Sequence, residues 1–461
     1  MSMKPNAGAD RMGTMPVGRL LISMAVPMMF SMMMTALYNV VDSIFVARLS
    51  EDALTAVSLA FPVQNMMISI AVGIGIGASA LISRMLGMGE REKADHLAMQ
   101  GYLLSTVSAV LFVIIGLFFA APFAKTQVDM NAPNGAAIAA DCAIYLRIVC
   151  AGGFGLFFTC LEEKLFASVG KTMYTMLLQV SGAVINIILD PIMIFGLLGC
   201  PAFGIAGAAY ATIIGQIFGA VLGFVLMLTK NKDLTLRLKD MAPDWDKIKM
   251  ILTISIPSIL MSAVGSILTF ILNIILITFS STAVAVYGIY FKLQSFIFMP
   301  IFGLNSGMVP IIAYNYGAGN KERIHRTMKL SMISAVAIMA LGMAAFNLIP
   351  TQLLGMFNAS EDMLAIGVPA LKTISLAFIS AGICIISGSV CQAFGYAFYS
   401  LFTSIARQIV VLLPAIYLLS LSGDVNMIWW AWPIAEVMSL VVSMIFLRRV
   451  LHKTGMALKS A

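Results

Sequence analysis

Charge is what this 461-residue chain lacks: Asp, Glu, Lys and Arg make up 11% of it, less than half of the roughly 25% usual in soluble proteins. With 60% hydrophobic residues, a water-facing surface of ordinary polarity cannot be assembled, so a soluble globule is excluded. The formal charge of +7 has no polar, aromatic-studded face to occupy, which argues against nucleic acid as a partner. Cysteine is sparse too. Cys142, Cys150, Cys160, Cys200, Cys384 and Cys391 are scattered through apolar runs without a CxxC pair, so neither a disulfide framework nor a zinc site is indicated. The three histidines, His96, His325 and His452, fall near polar loops or the tail. No HExxH, nucleophile elbow or Walker sequence occurs, which argues against an enzyme and against an ATP-driven pump. Gly73-Ile74-Gly75-Ile76-Gly77 superficially resembles a nucleotide loop but lies in an apolar run with no following Lys-Ser/Thr; close helix packing through Gly73 and Gly77 is the expectation.

What the chain has is apolar length. A bilayer core about 30 Å thick takes about 20 apolar residues per helix. Twelve such stretches are present, centred near Met32, Ser69, Val110, Ala151, Val184, Ile217, Leu268, Ile297, Ala335, Ser375, Leu412 and Val437. The first is too long for a signal-peptide core, so all twelve are expected in the mature chain. Basic residues fix the expected orientation. Lys4, Arg11 and Arg19 precede span one, Arg84, Arg91 and Lys93 follow span two, and the loop after span six carries Lys230, Lys232, Arg237, Lys239, Lys247 and Lys249. Lys321, Arg323, Arg326 and Lys329, and the tail's Arg448, Arg449, Lys453 and Lys459, fall on the same side, against Arg48 and Lys125 on the other. Both termini are therefore expected in the cytoplasm, with the chain multi-pass in the cell membrane.

The long polar loop divides the chain into an N-terminal lobe (1–229, spans one to six), a cytoplasmic linker (230–246) and a C-terminal lobe (247–461, spans seven to twelve). The halves match each other. An offset of 230 places Pro27 on Pro257, Gly73 on Gly303, Gly77 on Gly307, Gly87 on Gly317, Gly89 on Gly319 and Glu92 on Glu322; farther along, an offset of 225 places Arg147 on Lys372, Gly170 on Gly395 and Tyr174 on Tyr399. An even number of spans preserves direction. The expected fold is thus all-α, with twelve transmembrane helices in two six-helix lobes related by a pseudo-two-fold along the membrane normal, an architecture suited to alternating access.

Polar side chains inside the spans are functional candidates because each is costly in hydrocarbon. Asp42 lies late in span one, after Tyr38 and Asn39. Asn186 and Asp190 stand one turn apart on one face of span five, and Pro191 leaves the carbonyl of Ile187 without its usual N–H partner. A carboxylate, an amide oxygen and a free carbonyl make a plausible cage for a proton or a small hard cation; Thr212 in span six is placed to add a hydroxyl. The positions matching Asp42, Asn186 and Asp190 in the second half are Leu272, Val411 and Ala415. A carboxylate needed only to build a lobe would be kept in both, so a coupling site in the first lobe alone is favoured. Glu162 and Glu163 lie toward the inner end of span four, Glu163 being the one expected to face inward. Lys292, Arg407 and Glu436 are single buried charges whose pairing the sequence does not assign.

These residues resemble the multidrug and toxic compound extrusion (MATE) transporters. The likeness is carried by Pro27 and Asp42, by Asn186-x-x-x-Asp190-Pro191, and by Gly87-x-Gly89 with Glu92 and its echo Gly317-x-Gly319, and it spans nearly the whole chain. It implies two six-helix bundles forming a V, a first-lobe cation and proton site at Asp42, Asn186, Asp190 and Thr212 that takes H⁺ or Na⁺, and Tyr38 beside Asp42; Tyr38 and Glu163 are the substrate-cavity candidates. One branch of the family places acids in spans seven and ten, whereas here 250–279 and 363–391 contain neither Asp nor Glu. The resemblance is therefore closer to the branch that uses the first lobe.

The expected function is secondary active multidrug efflux: organic, often cationic, compounds leave in exchange for H⁺ or Na⁺. No cofactor beyond the coupling ion is expected, the other partners are drug-like molecules and the bilayer, and the protein is expected to act as a monomer. Proton uptake by Asp42 and Asp190 from the acidic outer face would relieve their repulsion and let the helices around Pro191 repack. The alternative within the same superfamily is a lipid-linked oligosaccharide flippase. That protein should present a cationic groove, whereas Arg147, Lys292, Lys372 and Arg407 are dispersed.

Overall fold

The computed structural model describes residues 9–128, 134–357 and 360–456; Lys4 and Lys459 of the orientation argument lie outside them. All regular structure among the described residues is helical. The helices used below are α1 (Val17–Leu49), α2 (Glu51–Gly87), α3 (Arg91–Thr126), α4 (Gly135–Ala151), α5 (Gly153–Ser168), α6 (Thr172–Phe195), α7 (Ile205–Lys230), α8 (Trp245–Ile277), α9 (Ser281–Gly317), α10 (Lys321–Leu348), α11 (Glu361–Ser375), α12 (Phe378–Ala393), α13 (Ala397–Ile405), α14 (Leu413–Ser420) and α15 (Ala431–Lys453). A π-helical segment, Ala406–Leu412, joins α13 to α14.

Nine of the described helices are long and apolar enough to cross a bilayer, with Ala397–Ser420 counted as one. The bent pairs α4/α5, at 49°, and α11/α12, at 47°, each supply another span. With α15, whose 23 residues reach about 34 Å at 1.5 Å per residue, the twelve expected spans are present. The expected centres Ala151 and Ser375 fall on the two breaks rather than inside continuous helices. At the first, Gly152 and Gly153 follow each other, and two residues with little helix propensity sit where the axis turns. At the second no Gly or Pro intervenes; the Ser375 hydroxyl donates back to the Lys372 carbonyl at 3.0 Å, a bond of the kind that bends helices.

The residues form two compact units: unit 1 comprises Met1–Thr14 and Phe30–Ser255, and unit 2 comprises Met15–Met29 and Ile256–Ala461. Helices α1 and α8 thus each change unit along their length. Each unit carries the repeat in its backbone. Ser50 and Ser280, 230 apart, cap α2 and α9 with the same geometry, accepting from Ala53 N–H at 2.9 Å and Ala283 N–H at 3.0 Å. Gly89 and Gly319 share the left-handed conformation (φ 79° and 70°), as do Gly170 and Gly395 (φ 78° and 86°), which only glycine adopts without strain.

The matched glycines also explain how α1 and α8 are seated. A Cβ on Gly77 would stand 2.7 Å from the Ile251 carbonyl oxygen of α8, and one on Gly307 would stand 2.9 Å from the Ala25 backbone of α1. Ser255, also against Gly77, is the 230-offset match of Ala25, so the same small-residue contact is built once in each unit. Gly77→Val is expected to lower stability by about 1–3 kcal/mol through overpacking, read as a lower melting temperature of purified protein; an unchanged melting temperature would show that the contact has slack.

The polar stretch after α7 is packed into unit 1. Gln100 of α3, fully buried, donates from Nε2 to the carbonyls of Asp240 at 3.0 Å and Ala242 at 2.8 Å, while its Oε1 accepts from Asp244 N–H at 3.1 Å. Asp95 accepts from Thr235 N–H at 2.8 Å, His96 pairs with Asp240 at 2.8 Å and Lys171 with Asp233 at 2.9 Å. Asp244 then accepts from the Lys247 backbone N–H in the first turn of α8 and pairs with its ammonium. The lysine side chain, followed by the backbone bond, holds the Asp244 carboxyl below the usual carboxylate range. This start of α8 is therefore most stable above that range and loosens as pH falls through the lowered value.

Candidate functional site

The site in unit 1 is organised by α6. Its apolar run ends at Gly196, whose left-handed φ of 75° stops the helix with a bond to the Ile192 carbonyl at 3.0 Å. Asn186 and Asp190, one turn apart, are both buried, with Asp190 fully so. Helix α7 lies against α6 through glycine: a Cβ on Gly215 would stand 2.6 Å from the Gly182 carbonyl oxygen. That approach brings buried Thr212 to the α6 face, where Asn186 Nδ2 lies 3.4 Å from both Thr212 Oγ1 and Asp190 Oδ1. From α1, the Asp42 carboxyl meets the Asp190 carboxyl in side-chain hydrogen-bond contact.

The four residues expected from the sequence therefore stand together within unit 1. Their oxygens are incompletely partnered: Asp42 Oδ1, Asn186 Oδ1 and Asp190 Oδ2 are buried and have no hydrogen-bond partner among the described residues. All three accept and none donates. No group of three or more His, Cys, Asp or Glu side chains among the described residues is placed to hold a metal ion; the oxygens here come from two carboxylates, one amide and one hydroxyl.

With this geometry in view, a family model described as MatE matches residues 27–192 and 257–418, one segment in each half. The chain belongs to the MatE family. This MatE protein is 27% identical over 434 residues to the multidrug export protein MepA of Staphylococcus aureus (strain MSSA476), covering 93% of each chain. It is likewise 27% identical over 423 residues to MepA of Staphylococcus haemolyticus, covering 91% of each. Among solved structures it matches one described as an outward-facing conformation of a multidrug resistance MATE family transporter of the MOP superfamily, with a TM-score of 0.91, 25% identity, and coverage of 99% of this chain and 100% of that one. A MOP superfamily transporter from Pyrococcus furiosus, described as having a binding pocket of reverse polarity, matches with a TM-score of 0.89 at 25% identity, over 98% of this chain and 100% of that one.

The surroundings of the MatE site hold further polar groups. Tyr38 lies within electrostatic reach of Asp42 and Asp190 and also of Glu163, so Tyr38 borders the acid pair and Glu163 stands near Tyr38. Glu163 is buried, and its backbone carbonyl accepts from the Thr175 hydroxyl at 2.8 Å. Glu162 points elsewhere: it accepts from the Tyr102 hydroxyl at 3.1 Å and packs against Gly223. Sequence reasoning missed Tyr145, which is buried within electrostatic reach of Asp42 and Tyr38, and Gln64 beside it. Their signal was a phenol and an amide inside apolar spans four and two. In unit 2, Arg407 pairs with Glu436, and the Lys292 ammonium lies 6.0 Å from the Phe357 ring centroid.

Proposed function

We propose that this multi-pass membrane protein is a secondary active transporter that exports organic, often cationic, drug-like compounds in exchange for H⁺ or Na⁺. The coupling site is Asp42, Asn186, Asp190 and Thr212, and Tyr38 and Glu163 border the cargo path. In this reading the protein works as a monomer in the cell membrane with both termini in the cytoplasm. The MepA relatives are multidrug export proteins, and the site supplies the chemistry that a coupling ion requires.

The observation that carries the reading is the set of three buried, acceptor-only oxygens on Asp42, Asn186 and Asp190. Two carboxyl groups in hydrogen-bond contact need a proton between them, because neither ionised group has a donor. A small hard cation satisfies the same oxygens. Either ion drives export only through a difference in affinity between the two transport states. Loading removes the repulsion between the acids and allows the helices that carry them to repack.

The test is efflux of an ethidium-type dye from vesicles holding the purified protein, under an imposed pH gradient and then an imposed Na⁺ gradient. One of the two is expected to drive dye against its own gradient. The arm that succeeds identifies the ion, and uphill movement in neither arm would overturn the exchange mechanism.

A further inference from the structure

We propose that the polar segment between α7 and α8 is a membrane-surface anchor: Leu238 and Trp245 enter the headgroup layer of an anionic leaflet, and Arg237, Lys239 and Lys249 face its phosphates. The occupant of this surface is the bilayer itself. The inference stands apart from the export reading, since neither dye nor coupling ion enters its test.

Depth comes from the charge-free runs of the helices around it. Residues 101–124 of α3 contain no charged side chain; at 1.5 Å per residue that run is about 36 Å long, enough to cross a hydrocarbon core about 30 Å thick. The segment is tied to α3 just outside the run: Asp95 accepts from the Thr235 N–H at 2.8 Å, and Gln100 Nε2 donates to the carbonyls of Asp240 at 3.0 Å and Ala242 at 2.8 Å. Both ends of the segment agree. The uncharged stretch of α7 closes at Lys230, and residues 250–277 of α8 are again uncharged, with Trp245 about 7 Å before them along the helix. The segment therefore lies where hydrocarbon gives way to headgroups, the layer in which Trp and basic side chains concentrate.

Its charges are sorted by side. Asp233, Asp240 and Asp244 are engaged by Lys171, His96 and Lys247, whereas Arg237, Lys239 and Lys249 are exposed and Asp246 is the one exposed acid of residues 230–249. The Gln100 amide draws the backbone of 240–244 inward, its Oε1 accepting from the Asp244 N–H at 3.1 Å. The side chains flanking that clasp are left outside, and they are large and apolar: Leu238 is 85% exposed and Trp245 77%. Outward bases around an outward leucine and tryptophan suit an anionic bilayer surface, where the apolar pair enters the boundary between headgroups and acyl chains and the cations meet phosphate. A protein partner would have to bring carboxylates to the same place. Lipid is already there, because the spans that bracket the segment hold it at that depth.

The experiment reads Trp245 fluorescence in reconstituted vesicles as the difference between wild type and Trp245→Phe, in which Trp429, Trp430 and Trp432 cancel. In phosphatidylglycerol brominated near the carbonyl end of its acyl chains, that signal is expected to fall about twofold or more relative to unbrominated lipid. The phosphatidylcholine counterpart should quench it about half as much, and the triple variant Arg237→Gln, Lys239→Gln, Lys249→Gln should bring the phosphatidylglycerol value down to the same level. Equal quenching of wild type in the two lipids overturns the proposal. So does a Trp245 that aqueous acrylamide reaches freely while bromine leaves it unchanged, which places it in water. A Trp245 screened from both quenchers is covered by protein, a partner or a second copy, and that result overturns the proposal as well. Should Trp245→Phe fail to fold, amide hydrogen exchange over residues 235–239 of wild type decides: about tenfold slower exchange in phosphatidylglycerol than in phosphatidylcholine is expected, and equal rates overturn the anchor.

Discussion

Asp190→Asn, at wild-type expression, is expected to cut gradient-driven dye efflux by about tenfold or more, the scale of a coupling free energy near 1.4 kcal/mol. Asparagine keeps the size of the side chain and can still accept from Asn186, so packing along α6 is preserved. It cannot take up and release a proton, and it supplies one oxygen where the carboxylate supplied two. Asp42→Asn should have a comparable effect, because the two carboxyl groups touch and share whatever ion loads them. For the same reason the double variant should be little worse than either single one, since groups that act as a unit lose their function once. Thr212→Ala should cost less: its hydroxyl is one oxygen of the set and its bond to Asn186 is long, at 3.4 Å. Dye movement down its own gradient separates coupling from folding. A variant that equilibrates dye but does not concentrate it has lost the ion site alone. Wild-type concentrating power in both Asp190→Asn and Asp42→Asn would remove the acids from the mechanism.

The sequence carried some of this site and not the rest, for reasons that follow from what periodicity encodes. Asn186 and Asp190 are four residues apart, and helical spacing alone puts them on one face. Their meeting with Thr212 needed an additional fact, the close contact of α6 and α7 at Gly182 and Gly215, which hydropathy does not register. Tyr145 and Gln64 were invisible for the same reason: each is an ordinary polar residue in its own span, and only the packing of α4 and α2 around α1 brings them to Asp42. Arg407 and Glu436 were legible as costly charges, but 29 residues separate them, and no local pattern pairs side chains on different helices. The division into halves at the polar stretch was readable from composition. That the first turns of α1 belong with unit 2, and those of α8 with unit 1, was not, because an apolar run has the same signature whichever neighbours it finds. The repeat fared best, since its glycines and serine caps mark backbone geometry, and backbone geometry is what Gly89, Gly319, Ser50 and Ser280 reproduce.

Gln100→Ala should lower the stability of unit 1 by about 2–3 kcal/mol, because three backbone groups lose their partner at once. Burial makes the loss large: Gln100 is fully enclosed, and the Asp240 and Ala242 carbonyls and the Asp244 N–H converge on its single amide. Exposure of Ala242 to solvent limits it, since water can replace part of what is removed. The effect should be local before it is global, appearing as faster cleavage at Lys239 by a lysine-specific protease, by about tenfold for each 1.4 kcal/mol of local opening. His96→Ala removes only one contact to the Asp240 carboxylate, from an imidazole that is 40% exposed, a kind of contact worth about 1 kcal/mol or less, and should accelerate cleavage far less. The contrast matters for transport because the segment that Gln100 holds leads directly into α8, whose first turns to Ser255 stay with unit 1 while the helix continues into unit 2 at Ile256. A loosened entry to α8 should therefore slow efflux through the helix common to both units, without touching the acids that bind the ion. Equal cleavage rates in the two variants would mean that the ion pair, not the buried amide, is what fastens this segment.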